Sequence, residues 1–192
     1  MNASAIVDRL ESFGRALPGV VACVSEADAK WKPPSGAWSV VEIVNHLGDE
    51  EAEDFRARLR FVLEGRDGPW PPIDPEGWAR DRRYNERGLR ESVDRFVRER
   101  EASIAWLRSV VAAGADWSLA YEHPKFGPIR AGDLLGAWAA HDALHLRQIA
   151  KRMFELAGRD AAGFVTLYAG EWGAKDGPCS AHEKDPGVGP GP

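Results

Sequence analysis

The segment Asp133–Leu156 reads DLLGAWAAHDALHLRQIAKRMFEL, with apolar side chains or histidines at every third or fourth position over most of its length. That spacing predicts one long amphipathic helix. His141 and His145 are four residues apart and share a face with Leu134 and Trp138, which predicts that both imidazoles point into the protein. Two imidazoles one helical turn apart can bind a single metal ion, as in the two-histidine zinc motif.

Three earlier segments also have helical periodicity, at about Ser4–Asp28, Ser39–Gly65 and Gly88–Ala113. Pro18 should kink or break the first of them. The connection between the second and third, residues 65–86, is long enough to let these two helices run parallel in a bundle. The pattern therefore predicts an all-α protein built as a four-helix bundle with a long crossover between helices 2 and 3.

Residues 1–173 are predicted to form one domain, because a chain of 192 residues that is 44% hydrophobic can bury one core. Residues 114–130 should be irregular or briefly extended. The aromatic segment 164–172 is a candidate for a last short element docked on the bundle. Residues 174–192 end in a glycine- and proline-rich run and are expected to be a disordered tail.

Bulk composition narrows the functional classes. The net charge of −5 gives no reason to expect a nucleic acid partner, and no apolar run approaches the roughly 20 residues that cross a bilayer. Without a signal-peptide pattern at the N-terminus we expect a cytoplasmic protein that acts on a small molecule. Of its two cysteines, Cys23 is expected to be buried in an apolar run and Cys179 lies in the tail; neither resembles a nucleophile.

Eight arginines occur between Arg80 and Arg100, interleaved with acids. Such a pattern is typical of a solvated helix face held by ion pairs. The alternative is that some of these arginines bind an anionic substrate.

A third histidine, His46, lies in the second helical segment on a face shared with Ile43 and Glu50. If helices 2 and 4 are neighbours, three imidazoles can converge on one ion, and three histidines with an open position are a ligand set of catalytic zinc and nickel sites. A bound cation would also compensate for burying neutral imidazoles. The alternatives are a satisfied core histidine at position 46 and a hydrogen-bonded pair on helix 4.

Among nearby acids, Glu50 follows His46 by one turn and is the candidate catalytic residue, either holding a histidine or acting as a base through water. Asp142 points away from the histidine face and is a poor ligand. His123 stands beside a proline and is expected in a turn. The pattern His-Asp-x-x-His differs from the His-Glu-x-x-His motif of metalloproteases and lacks its further ligands, which disfavours that class.

Two segments give the sequence a family likeness. Trp38–Leu47, WSVVEIVNHL, and His141–Ile149, HDALHLRQI, resemble the DinB/YfiT-like family of bacterial four-helix bundles, and His123 followed by Gly127 also fits. The resemblance covers about residues 3–157. It implies an up-down-down-up bundle in which His46, His141 and His145 bind a divalent ion such as zinc or nickel, and it implies a homodimer.

The reaction is less well defined by this resemblance. Family members of known activity use low-molecular-weight thiols, bacillithiol or mycothiol, in transfer or isomerisation; others are described as metal-dependent hydrolases, and many have no assigned activity. Three hypotheses follow: a metal-dependent S-transferase with a thiol cosubstrate, a hydrolase in which the metal activates water, and a non-enzymatic metal-binding or stress-response bundle.

Overall fold

The computed structural model describes residues 1–70 and 72–173 of the chain, and within them helices dominate. The helices are α1 (Ala3–Val21), α2 (Glu26–Ala29), α3 (Val40–Asp49), a π-helical segment (Glu50–Phe55), α4 (Arg56–Leu63), α5 (Pro75–Asp81), α6 (Leu89–Ala112) and α7 (Ala131–Asp160). Short 3-10 turns follow at Tyr84–Glu86 and Leu167–Ala169, and two strands, β1 (Ala120–His123) and β2 (Gly127–Arg130), form an antiparallel hairpin. No helix in this part of the chain is both long and apolar enough to cross a membrane.

Four long elements make the bundle, and contacts between them give their directions. The continuous rod α3–π–α4 runs parallel to α6, because Asn45 contacts Ser92 near the start of both and Arg56 contacts Ser103 further along. The same rod runs antiparallel to α7, because His46 near its start contacts His145, whereas Phe55 further along the rod stacks on Trp138, which comes earlier in α7.

Helix α1 lies between α6 and α7. Phe13 packs on Phe96, and Asp8 near the start of α1 pairs with Arg108 near the end of α6, so these two helices are antiparallel. Asp28, just beyond α1, pairs with Arg159 at the end of α7. The order is therefore up-down-down-up, which confirms the predicted bundle and its crossover.

The core has two apolar regions. One contains Leu17, Ile43, Leu47, Phe96 and Ile149. The other contains Val7, Leu10, Leu59, Leu107, Leu135 and Trp138. Between them the bundle buries a layer of charged and polar side chains, among them Glu51, Arg100, Asp142 and His145. Burial of charge at this depth requires compensation.

The crossover is more ordered than the sequence indicated. It contains α5, which Asp74 caps by accepting a hydrogen bond from the Gly77 N–H at 2.9 Å, with Pro75 at the first helical position. Ile73 and Glu76 of this segment face the histidines across a cleft. The crossover therefore forms a wall of that cleft.

Several smaller expectations are corrected. Pro18 does not break helix α1, which continues to Val21, because a proline near the end removes only the bond to the Gly14 carbonyl while Leu17 and Val21 remain buried. The predicted segment Ser4–Asp28 is instead divided after Val21, and α2 begins at Glu26. Cys23 is exposed, since it follows the helix in a turn.

Further along the chain, the brief extension expected within residues 114–130 is present as two paired strands that form a hairpin. In the aromatic segment after α7, Phe164 and Tyr168 lie at the surface, 85% and 75% exposed, while Trp172 packs on Phe154 of α7 with the ring centroids 5.6 Å apart. The expected docking is therefore seen for Trp172 and not for Phe164. The predicted tail, residues 174–192, lies outside the described residues, as do Cys179 and His182.

Candidate metal centre

Helix α3 begins with a capping box that fixes its rotation. The Ser39 hydroxyl accepts from the Glu42 N–H at 3.2 Å, and the Glu42 carboxylate accepts from the Ser39 N–H at 2.8 Å. All ten residues of α3 are buried, so His46, 4% exposed, faces the bundle interior. Trp38 covers its ring, with the two ring centroids 4.9 Å apart.

The π-helical segment follows directly after α3. A π-turn widens the helix by one residue per turn and is frequent at functional sites. Here it carries three buried acids, Glu50, Glu51 and Asp54, into the polar layer. Glu50 comes to lie beside His46, with its Oε1 3.6 Å from His46 Nδ1. Glu51 faces the other way, toward α6 and Trp138.

Three imidazoles converge where α3 meets α7. His141 Nε2 lies 3.4 Å from His46 Nε2 and 2.9 Å from His145 Nε2. One ligand nitrogen from each ring falls within 4.8 Å of the others. Nitrogens that share a tetrahedral zinc ion at about 2.0–2.1 Å are separated by about 3.3 Å, so the cluster has the dimensions of a metal site.

The outer nitrogens show which way the lone pairs point. His145 Nδ1 lies 2.9 Å from Gln148 Oε1, so its N–H donates there and its Nε2 carries a lone pair. His46 Nδ1 lies 3.6 Å from Glu50 Oε1 without a hydrogen bond. His145 Nε2 thus points a lone pair at His141 Nε2, and His141 Nε2 can satisfy only one of its two neighbours, either by donating to His145 or by accepting from His46. A cation accepts all three lone pairs, and the residues present therefore fit a divalent ion.

Electrostatics keep these rings neutral, the form that binds metals. Burial, reinforced by repulsion from His145 and His141, lowers the pKa of His46 to about 3. Burial together with the charges of His145 and Arg100 lowers the pKa of His141 to about 3. Burial also lowers the pKa of His145.

The cluster opens into a large cleft of about 1380 Å³. Aromatic rings border the histidines, with Phe55 5.1 Å from His141 between ring centroids. Other lining residues are Lys32, Ile43, Asp54, Ile73, Asp74, Glu76, Arg80, Arg147, Gln148, Lys151, Arg152 and Trp172. This volume exceeds the range common for small-ligand pockets, so the site admits an extended substrate.

Glu50, the predicted catalytic residue, lines the cleft but contacts the outer edge of His46. Burial, followed by the neighbouring Asp54 carboxyl, raises the pKa of Glu50 to about 9. Its position suits a residue that orients His46, and its role as a base stays a prediction.

Asp142 points away from the imidazoles, as expected from the helix geometry. Both of its oxygens accept from Arg100 at 2.8 Å, and the same guanidinium donates to Glu51 at 2.6 Å and to the Leu10 carbonyl at 2.7 Å. Asp142 therefore belongs to the structure rather than to the ligand set. His123 likewise caps a turn, accepting from the Lys125 N–H at 3.1 Å.

The arginine-rich segment is only in part the solvated face that its pattern indicated. Arg100 is 2% exposed and lies at the centre of the bundle. Arg82 and Arg95 both bind Asp49, a fully buried carboxylate that also accepts from the Tyr84 hydroxyl. These three arginines neutralise buried acids, whereas Arg80 lines the cleft and pairs with Asp81. Binding of an anionic substrate by this segment stays a prediction.

Sequence reasoning gave no role to two residues beside the cluster. Gln148 follows His145 by three positions, a spacing at which side chains on one helix face touch. This spacing could have predicted the hydrogen bond between them. Phe55 gave no signal, because its place beside His141 depends on the π-turn.

The sequence profile of the DinB superfamily matches residues 9–149, a range that includes all three histidines. The chain belongs to the DinB superfamily. A curated relative from Oceanobacillus iheyensis, described as a "putative metal-dependent hydrolase", is 26% identical over 146 residues, covering 74% of this chain and 81% of the relative.

Among solved structures, YfiT from Bacillus subtilis matches this DinB-superfamily chain with a TM-score of 0.70 and 18% identity. The match covers 81% of this chain and 87% of YfiT, which is described as a "probable metal-dependent hydrolase with an unusual four-helix bundle topology". At this identity the likeness establishes the fold.

Proposed function

We propose that this DinB-superfamily protein is a metal-dependent enzyme in which His46, His141 and His145 hold one divalent ion, zinc or nickel. The observation that carries the proposal is the convergence of three neutral imidazole nitrogens at the base of an open cleft. A closed structural site would be shielded from substrate, whereas this one is accessible from one side.

The ion, when bound, supplies a Lewis acid that lowers the pKa of a coordinated nucleophile. The chain contributes the rest. Gln148 accepts a hydrogen bond from His145 Nδ1, which keeps the inner lone pair of that ring directed at the ion, and Glu50 lies 3.6 Å from His46 Nδ1. Trp38 and Phe55 keep water from the imidazole edges.

For the reaction we favour S-transfer from a low-molecular-weight thiol. The carboxyl nearest the histidines, Glu50, lies against the outer edge of His46, where it is poorly placed to take a proton from water at the open side. A thiol loses its proton more readily than water and needs less help from a base. The transfer forms a sulfur–carbon bond, releases a leaving group with its bonding pair and passes the thiol proton to solvent.

Hydrolysis is the second candidate, and the likeness to the curated relative favours it. The two candidates differ in one requirement. Transfer needs a thiol, and hydrolysis proceeds without one.

The test begins with metal content per chain, measured by plasma mass spectrometry on untagged protein. We expect about one zinc or nickel ion in the wild type and in the His123→Ala control, whose imidazole lies in the hairpin turn, and none in His141→Ala. Absence of metal from the wild type after reconstitution would contradict both enzymatic candidates and favour a binding or structural bundle.

The reaction is then assayed with bacillithiol or mycothiol and monobromobimane, and separately with p-nitrophenyl acetate without thiol. Thiol-dependent product that disappears in His141→Ala supports transfer. Ester cleavage that requires metal but no thiol supports hydrolysis instead. The expected homodimer and cytoplasmic location stay predictions, the first open to sedimentation analysis.

A further inference from the structure

The cleft contains a second functional element on α7, two helical turns beyond the histidines. His141, His145, Gln148 and Arg152 follow one another at intervals of four, three and four residues, so they share one face of the helix. Seven residues separate His145 from Arg152, which is about 10 Å along a helix axis. Both residues line the same cleft.

Arg152 is unusual for a cation at a cleft wall because its side chain is only 6% exposed. Its Nε and Nη1 are buried and make no hydrogen bond. Its ion-pair partner within the described residues is Glu155, whose Oε2 lies 2.8 Å from Nη1 without hydrogen-bond geometry. Buried guanidinium groups normally donate to well-aligned acceptors. These two donors have none, and a ligand bound in the cleft can supply one.

Cations of α7 concentrate on one side of the cleft. Arg147 and Lys151 are exposed on the same helix as Arg152 and make no ion pair among residues 1–70 and 72–173. The π-segment and the crossover contribute the acids Asp54, Asp74 and Glu76 and one arginine, Arg80, which pairs with Asp81. The cations of α7 therefore attract an acidic ligand to their side of the cleft.

We propose that Arg152 is the centre of a carboxylate-binding subsite, and that the substrate is a small organic acid whose carboxylate lies there while its reacting group lies at the three histidines. The inference rests on the proposed function, since it takes the histidine cluster as the reacting end. Glu155 already offsets part of the local positive charge, which favours a carboxylate over a dianionic group. A planar guanidinium binds carboxylate oxygens through parallel N–H donors.

The probes are ω-mercaptocarboxylic acids with one to seven methylenes and the matching amides, titrated into cobalt-loaded protein. The sulfur–cobalt absorption band reports binding at the metal, and the ratio of the amide Kd to the acid Kd reports the carboxylate contact. We expect acids of intermediate length to bind about tenfold or more tightly than their amides, as a charge-assisted hydrogen bond predicts. Mercaptoacetate is too short to reach Arg152 and can favour the acid only by chelating cobalt, so its preference should be the same in the wild type and in Arg152→Met.

Arg152→Met should abolish the preference for acids while leaving amide binding unchanged, and Arg152→Lys should keep part of it. The matched control is Arg159→Met, one arginine removed from the same helix seven residues further on and outside the cleft. An acid preference that persists in Arg152→Met overturns the proposal. If that variant does not fold, Arg152→Gln replaces it, and loss of the acid preference in Arg152→Gln supports the proposal. Equal binding of acids and amides to the wild type overturns it.

The same titration separates failure of the proposed function from failure of the carboxylate subsite. If no thiol produces the absorption band, the open metal position and the proposed function are wrong. If the band forms equally with acids and amides at every length, the metal site stands and the carboxylate subsite is wrong.

Discussion

Two buried polar clusters lie next to each other on α7, and they differ in how their groups are satisfied. Around Arg100, each charged group has an ionic partner: Arg100 binds Glu51 and Asp142 and also the Leu10 carbonyl, and Glu51 accepts from the Trp138 indole N–H at 2.7 Å, although Arg100 Nε and Glu51 Oε2 make no hydrogen bond. Around His46, the buried His46 Nδ1 and Glu50 Oε1 make no hydrogen bond, and three imidazole nitrogens meet at the edge of a cleft with no cation among them. The first arrangement stabilises the bundle, and the second is complete only when something binds.

This difference predicts opposite responses to mutation. The largest effect is expected for Arg100→Met, which leaves Glu51 and Asp142 buried without their cation. Removing one partner of a buried ion pair costs about 3–5 kcal/mol, and burial already raises the pKa of Asp142 to about 6 despite Arg100. Urea unfolding of the metal-free protein measures this loss.

In the same assay His141→Ala should change metal-free stability by about 1 kcal/mol or less, because the ring it removes has no satisfied partner outside the cluster. A loss in His141→Ala as large as that in Arg100→Met would contradict the comparison. It would mean that the histidines stabilise the fold in their own right.

A second, smaller effect concerns Glu50 and pH. The pKa of Glu50 is about 9 in the folded protein, above the ordinary value of 4.5. At a pH between these two values, the folded protein holds a proton on Glu50 that the unfolded chain has lost. Stability of metal-free protein should therefore fall as pH rises through this window. Glu50→Gln mimics the protonated form, lacks that slope and should be more stable than the wild type by about 2 kcal/mol at pH 8.

Unfolding of both proteins in EDTA at pH 5 and pH 8 checks the Glu50 prediction. Glu64→Gln, an exposed acid at the end of α4, is the control and should follow the wild type. Parallel stability curves for wild type and Glu50→Gln would show that Glu50 is ionised in the folded state, as an ordinary helix acid would be.

Much of this contrast was visible in the sequence, and the reason is local. His141 and His145 share a helix face because of their spacing alone, and the capping box at Ser39 and Glu42 fixes where α3 starts and hence where His46 points. The place of Arg100 was missed, since a helix full of alternating charges predicts a solvated surface. Its burial depends on acids from α7 and the π-segment, which only the assembled bundle brings together.

The π-turn explains the other failure. A regular helix through Glu50–Phe55 would rotate Glu51 and Phe55 differently, and no residue pattern in EEAEDF signals the extra residue. The predicted convergence of the three imidazoles does not depend on the π-turn, because His46 precedes it. Phe55 lies at the end of the π-helical segment, after the extra residue of the π-turn, so its contacts could not be predicted from the sequence.

The smallest predicted effect sharpens the comparison at Gly14. A Cβ at this position of α1 would lie 2.7 Å from Arg100 Cγ, a distance that forces the arginine to move. Gly14→Ala gains up to about 1 kcal/mol in helix propensity, but overpacking beside a fixed guanidinium costs about 1–3 kcal/mol, so we expect a net loss of about 1 kcal/mol.

The matched control is Gly48→Ala on α3, where the added Cβ meets Arg95 Nη1 at 3.4 Å, an ordinary contact distance. This variant should be neutral or more stable in thermal unfolding. If both alanines are stabilising, the Arg100 cluster can shift without loss, and its ion pairs would not distinguish it from the histidine cluster. A loss in Gly14→Ala alone shows that the fold tolerates no displacement there, because a shift of the guanidinium weakens its bonds to the buried carboxylates Glu51 and Asp142.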